Sequence, residues 1–310
     1  MREFGKYIRT LRHFSIILFL LSAALFVFFR VREMSLQDRS GPEITMDSEL
    51  ISVSVEDPES KLLEGVTAKD RLDGDVTSSL VVENTSNFLH PGTRIVRYAA
   101  FDKDMHVTKA ERQMKYTDYR SPEFSIKAPL VLRLGQENLL DNVSVDDCLD
   151  GSLTDSVKVL SDRELLVDVE GDYEVRLQAA NSAGDVATLP VIVKVEETSG
   201  NAPRMILDDY VKYLDQNEEF DPYDLITGVA IGGNLYEVTE GRGTYGREDI
   251  DSSTKRVVGT RQISVSNPVD TSKPGNYRVR YSMTVSVGNN GDRVTGETLL
   301  YVVVREDYSA

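Results

Sequence analysis

The segment Asp70-Arg71-Leu72-Asp73-Gly74-Asp75-Val76-Thr77 returns 77 residues later as Asp147-Cys148-Leu149-Asp150-Gly151-Ser152-Leu153-Thr154. A shared D-x-L-D-G-x-[VL]-T is too long for chance, so the chain carries duplicated domains. A second marker sets their spacing. Gly41-Pro42-Glu43-Ile44, Ser121-Pro122-Glu123-Phe124 and Ala202-Pro203-Arg204-Met205 lie 80 and 81 residues apart. The third marker is a glycine followed by alternating residues: Gly92-Thr93-Arg94-Ile95-Val96-Arg97-Tyr98, Gly171-Asp172-Tyr173-Glu174-Val175-Arg176-Leu177 and Gly275-Asn276-Tyr277-Arg278-Val279-Arg280-Tyr281. Period-two alternation marks a strand with one wet face, so Tyr173, Val175 and Leu177 are expected inward and Glu174 and Arg176 outward. Further β-rich stretches follow at residues 112–116, 190–195 and 298–304. Helical periodicity is hard to find beyond residue 39. Short strands with turn signals about every 8–12 residues predict an all-β chain of three tandem β-sandwiches.

The D-G segment together with Val269-Asp270-Thr271-Ser272-Lys273-Pro274-Gly275-Asn276-Tyr277-Arg278-Val279-Arg280-Tyr281 resembles the bacterial immunoglobulin-like repeats of cell-surface proteins. These are related to hyalin-type repeats and also occur in some insecticidal crystal toxins. The resemblance covers about residues 42–306 and implies immunoglobulin-like domains at 42–119, 120–199 and 200–310. The third lacks D-x-L-D-G and carries a longer, glycine-rich insertion at residues 228–270. G-x-Y-x-V is also similar to the start of strand F in antibody-type domains, with Val96, Val175 and Val279 at the cysteine position. Cys148 is the chain's one cysteine, so no internal disulfide is available and each sandwich must hold by its core alone. Domains near 80 residues bury only a little over about 60% of their unfolded surface, which makes such cores marginal. Three stacked in line would form a stalk reaching about 90 Å.

Residues 14–29 contain no charge. As a helix they span about 24 Å, short of the roughly 30 Å hydrocarbon core. Val31 extends them, and Arg12, Arg30 and Arg32 can snorkel toward the headgroups. A cleaved signal peptide is the competing reading, but the small residues Ser22, Ala23 and Ala24 sit inside the apolar run instead of beyond it. The expectation is therefore a signal-anchor helix at 14–32, with a cytoplasmic tail at 1–13 and a linker at 33–41. Arg2, Lys6, Arg9 and Arg12 precede the span, against Arg30, Arg32 and Arg39 after it, which favours a cytoplasmic N-terminus and an extracellular C-terminus. The whole chain has a net charge of −16, and residues 1–39 are basic, so the exported part is more acidic still. Such a surface excludes nucleic acid as a partner.

The acids Asp70, Asp73 and Asp75, with Asp147 and Asp150 in the second copy, are candidate calcium ligands, because hard cations want several oxygens from a tight loop. The alternative is a plain turn that Asp-Gly favours and Asp caps. The chain shows no motif of nucleophilic, metal-hydrolytic or phosphate-binding chemistry, so it is expected not to be an enzyme and to need no cofactor. Cys148 sits between Asp147 and Asp150, whose charges raise a thiol pKa, the opposite of what a nucleophile needs. Tyr210, Tyr213, Tyr223, Tyr236 and Tyr245 lie close to a glycine-rich stretch, so Tyr236 and Tyr245 are candidate partner-binding residues; otherwise some are core residues of a long hairpin. The expected function is a membrane-anchored stalk, adhesion or protein-interaction module facing an extracellular or envelope protein or a glycan. Alternatives are an accessory subunit of a cell-envelope complex and a calcium-dependent carbohydrate-binding surface protein. The absence of tryptophan weakens the last, since sugar faces stack on large rings.

Overall fold

In a computed structural model, the described residues are 2–36, 40–136, 138–161, 166–197, 202–246, 253–287 and 292–306. The first element is the helix α1 (Arg2–Leu36). It is longer than the uncharged run because charged helix formers on both sides continue it, and it absorbs the expected tail and the start of the expected linker. Its stretch Leu11–Arg32 has 22 residues, a mean hydropathy of 2.5 and no burial against protein. At 1.5 Å per residue this gives about 33 Å, enough to cross a bilayer. A membrane anchor and a signal sequence both meet that description.

Past residue 40 the chain is β. The strands β1 (Glu43–Met46), β2 (Leu50–Val53), β3 (Val66–Asp70), β4 (Gly74–Asp75), β5 (Val81–Thr85), β6 (Thr93–Phe101) and β7 (Val107–Tyr116) form two sheets, β1-β3-β4 and β2-β7-β6-β5. The pattern returns with β8 (Glu123–Ile126), β9 (Val131–Arg133), β10 (Val143–Asp147), β11 (Gly151–Ser152), β12 (Lys158–Leu160), β13 (Gly171–Ala180) and β14 (Val186–Glu196), in sheets β8-β10-β11 and β12-β13-β14-β9. It returns again in β15 (Arg204–Leu207), β16 (Val211–Leu214), β17 (Ile226–Ile231), β18 (Asn234–Tyr236), β19 (Val238–Thr239), β20 (Val258–Gly259), β21 (Ser264–Ser266), β22 (Gly275–Val287) and β23 (Asp292–Val304). Their sheets are β15-β17-β18 and β16-β23-β22-β21, with β19-β20 as a small addition.

Each set begins by changing sheets. The chain leaves the first sheet after Met46, Ile126 or Leu207 and enters the second within a few residues. There β9 joins β14 in parallel and β16 joins β23 in parallel. The glycine-led strands turn the expected face inward: Val96, Val175 and Val279 are all buried, as are Tyr98, Leu177 and Tyr281. Tyr173 and Tyr277, two residues before those valines, donate their hydroxyls to the carbonyls of Val169 and Lys273 at 3.0 and 2.9 Å. A tyrosine there that bonds back a few residues upstream is the corner found at the start of strand F in immunoglobulin domains. The body is therefore a series of immunoglobulin-like β-sandwiches held without disulfides.

The chain divides into two compact units, Met1–Ser86 with Arg94–Lys115 and Asn87–Thr93 with Tyr116–Ala310. In unit 1 the core gathers Ile51, Val53, Val66, Ala68, Val96, Tyr98 and Met114. Arg112 is buried at its edge, where it donates to the Glu64 carbonyl, Asp47 and Ser48 and so ties β7 to two turns. In unit 2 one apolar core runs without interruption from Phe124 to Val304.

Candidate functional site

The duplicated acids are turn-forming groups in both copies. Asp70 Oδ1 accepts the N–H groups of Leu72 and Asp73 at 2.7 and 2.8 Å, and Asp147 Oδ1 accepts those of Leu149 and Asp150 at 2.9 and 3.0 Å. The glycines that follow, Gly74 and Gly151, have φ of +75° and +72° with open space around them, so glycine is there for its backbone freedom. The motif's threonines close the turn: Thr77 Oγ1 accepts the Ala68 N–H and Thr154 Oγ1 the Val145 N–H, both at 3.1 Å. Asp75 caps the Thr77 N–H at 2.9 Å.

Asp73 and Asp150 reach out of the turn to the hairpin facing it. Asp73 accepts the backbone N–H and the ammonium of Lys103, both at 2.9 Å, and that ammonium holds its carboxyl below the usual range. Asp150 accepts the N–H and the hydroxyl of Ser182, the latter at 2.7 Å. Among the described residues no three His, Cys, Asp or Glu side chains converge as a metal centre would need. The copies also differ at the capping aspartate. Asp147 Oδ2 accepts the amide of Asn181 at 3.1 Å, whereas Asp70 Oδ2 is buried without a hydrogen-bond partner.

The tyrosines divide between two places. Tyr236 and Tyr245 pack edge to face with ring centroids 4.9 Å apart, half-buried against the core of unit 2. Burial raises the pKa of the Tyr245 hydroxyl, and the exposed Leu235 stands beside Tyr236 on the β17–β18 hairpin. Tyr223 is at the surface and makes a long 3.4 Å bond to the Ile263 carbonyl. Tyr210 and Tyr213 turn inward.

They do so at the junction where the β8–β14 sheets meet the β15–β23 sheets inside unit 2. Tyr210 is buried there, its N–H donating to the Ile126 carbonyl at 2.9 Å, and Tyr301 N–H donates to the Tyr210 carbonyl at 2.9 Å. The Phe124 N–H donates to the Tyr213 hydroxyl at 2.7 Å. Tyr301 does most, accepting the Ile192 N–H at 2.9 Å and donating to the Ile192 carbonyl at 3.2 Å. Burial pushes its phenol up to about 12. Asp209 binds Ser125, the Ile126 N–H at 3.0 Å and Lys127 at 2.9 Å. Arg305 pairs with Glu123 and Asp215 and lies over the Tyr213 ring, 5.2 Å from its centroid. Beside them a cleft of about 450 Å³ is lined by Glu123, Phe124, Val186, Tyr213, Asn276 and Arg305 among others.

A second aromatic knot lies elsewhere in unit 2. Phe88 packs on Tyr119 with centroids 4.7 Å apart, and its N–H donates to the Ala183 carbonyl at 2.8 Å. The Tyr119 hydroxyl donates to Asp185 at 2.6 Å and accepts the Asn181 amide at 2.8 Å. Nearby, the exposed thiol of Cys148 donates to the Arg120 carbonyl at 3.1 Å. Its pKa is raised mainly by desolvation, with the Asp147 charge adding to it. The sequence contains a faint signal of the junction, since Tyr210-Val211-Lys212-Tyr213 reads as a strand start, but proximity to glycines draws it into a loop reading.

No protein-family model matches the chain, and no curated protein matches it. Among solved structures it is similar to the human CDH23 EC21-23 fragment, at 14% identity over 85% of this chain and 100% of that one, with a TM-score of 0.21. It is similar to the protocadherin GammaB4 extracellular domain at 11% identity, over 86% and 49%, with a TM-score of 0.19. It is also similar to the CBM51-2 and INT domains of Clostridium perfringens ZmpB with GlcNAc, at 22% identity over 48% and 26%, with a TM-score of 0.21. The chain spans about a quarter to a half of the length of the last two.

Proposed function

We propose that this is a single-pass, N-terminally anchored cell-surface protein of bacterial immunoglobulin-like type. In this reading α1 stays in the membrane with its N-terminus in the cytoplasm, and sandwiches at about 42–119, 120–199 and 200–310 stand outside. They act as a stalk and interaction module for an extracellular or envelope protein or glycan, without catalysis. One observation carries the reading: an unburied apolar helix precedes β-sandwiches in which the duplicated Asp70 and Asp147 cap their own turns and Tyr213 and Tyr301 bond across a junction. Such an arrangement offers surfaces for binding more than a site for chemistry.

Protease shaving of intact cells tests it, with one epitope at each end of the chain. Loss of the C-terminal epitope, with the N-terminal one protected and retained in carbonate-washed membranes, is the expected result. A protected C-terminus, or release of the chain into the medium, refutes the assignment.

A further inference from the structure

Within unit 2 the sheet edge beside Ile192 is only half closed. The ladder from β9 covers Lys194, Val195 and Glu196 on β14, and the Lys194 N–H donates to the Leu130 carbonyl at 2.9 Å. Before that the chain crosses from β8 through Pro129, which has no N–H with which to extend the ladder. The Tyr301 hydroxyl serves the Ile192 backbone there, and a slot of about 90 Å³ remains beside it. Its walls are Ile126, Leu130, Ile192, Tyr210, Leu299 and Tyr301. Ile126, Leu130, Tyr210 and Tyr301 are buried, while Ile192 and Leu299 are half-buried.

Four charged residues complete the lining: Asp172, Lys194, Arg280 and Glu297. All four are exposed, so the slot opens to solvent between them. Asp172 and Lys194 face each other across β13 and β14 on one lip. Arg280 of β22 and Glu297 of β23 form the other, 3.7 Å apart, which is longer than a hydrogen bond. Lys194 is already paired with Glu196 at 2.8 Å. Among the described residues no cation pairs with the Asp172 carboxylate. An acid on one lip and a loosely held base on the other thus stand above an apolar wall.

We propose that this slot binds a free L-α-amino acid with a branched aliphatic side chain, its ammonium on Asp172 and its carboxylate on Arg280. The walls select the side chain. An apolar surface cannot give water the two to four polar partners it needs, so apolar atoms are the better occupant. A cavity of about 150 Å³ accepts benzene, so one of about 90 Å³ suits the three or four carbons of valine, leucine or isoleucine and is too small for an aromatic ring. The lips select the head group. A lone cation leaves Arg280 unserved and a lone anion leaves Asp172 unserved, whereas a zwitterion satisfies both with charge-assisted hydrogen bonds. Because Asp172 belongs to the β8–β14 sheets and Arg280 to the β15–β23 sheets, the bound amino acid fastens the two sheet pairs together. This goes beyond the reading of the chain as an interaction module and does not depend on it.

The test is equilibrium dialysis of the full chain, held in phospholipid nanodiscs, against radiolabelled L-leucine. Saturable binding with a Kd below about 1 mM is expected for a ligand of this size. Alanine, three carbons shorter, should compete about fiftyfold less well. 4-Methylpentanoate lacks the ammonium and isopentylamine the carboxylate, and each should compete at least about tenfold less well. Phenylalanine should not compete. Asp172→Asn removes a charge that no described cation pairs with, so it should weaken leucine about tenfold, leave 4-methylpentanoate unchanged and keep the melting temperature. Leu299→Phe fills the slot and should abolish binding; if that variant does not fold, Asp172→Asn still decides. No saturation by about 10 mM leucine overturns the proposal. So does equal competition by leucine, alanine and phenylalanine, or unchanged leucine binding by Asp172→Asn. None of these outcomes bears on where the chain resides, which the protease experiment decides separately.

Discussion

Tyr301→Phe deletes one oxygen and tests whether the two sheet pairs of unit 2 behave as one body. The Tyr301 hydroxyl is the partner of both the N–H and the carbonyl of Ile192. The parallel partner β9 pairs with β14 only over Lys194, Val195 and Glu196, so it stops short of Ile192, and the tyrosine takes over the ladder there. A neutral hydrogen bond contributes about 1 kcal/mol net, so losing two costs about 2 kcal/mol, with ring burial unchanged. For a cooperative unit of about 200 residues that lowers the melting temperature by about 4–8 °C. Calorimetry of the full chain in detergent reads it directly, with urea unfolding at constant slope as the check. Tyr223→Phe is the control, since its hydroxyl is at the surface with one long bond, and it should shift the melt by less than about 1 °C. An equal shift in the two variants, or less than about 0.5 kcal/mol lost from Tyr301→Phe, would falsify the view that this hydroxyl ties the sheets together.

Three further outcomes follow from the same geometry. Burial tends to raise the Asp209 carboxyl, but Ser125, the Ile126 N–H and Lys127 together hold it below the usual range. Its lowered pKa means that the stability it contributes is present above the unfolded value near 4 and is lost as pH falls through the folded one; Asp209→Asn should flatten that acid-side loss in a pH series of melts, and an unchanged acid limb refutes the assignment. Gly74→Ala and Gly151→Ala meet no steric obstacle, so each should cost only about 1 kcal/mol, the strain of a positive φ, by urea unfolding; a neutral result would show that the turn relaxes. Calcium at about 1 mM should leave the melting temperature unchanged, because Asp70, Asp73, Asp75, Asp147 and Asp150 all serve backbone or side-chain donors of the turns and hairpins; a rise of several degrees would reinstate the metal reading.

The duplicated D-G segment and the alternating strands were legible as residues because they encode local physics. An aspartate capping its own turn, a glycine at positive φ and a period-two apolar face are each set by neighbours a few positions away. The all-β class and the inward valines follow from them, and the apolar N-terminal helix from the uncharged run at residues 14–29. The helix ends were less legible, since charged helix formers prolong α1 without changing the apolar pattern. The tyrosines of the third stretch were not legible. Tyr213 and Tyr236 have similar sequence settings, yet one accepts a backbone N–H from Phe124 across 89 residues and the other pairs with Tyr245. Likewise Asp70 and Asp147 occupy one motif, and only the fold reveals that Asn181 donates to Asp147 Oδ2 while, among the described residues, Asp70 Oδ2 is left without a donor. What depends on short-range backbone geometry was written in the chain itself. What depends on which distant side chain arrives at a buried polar atom was decided by tertiary packing, because burial turns one missing donor into a cost that water can no longer relieve.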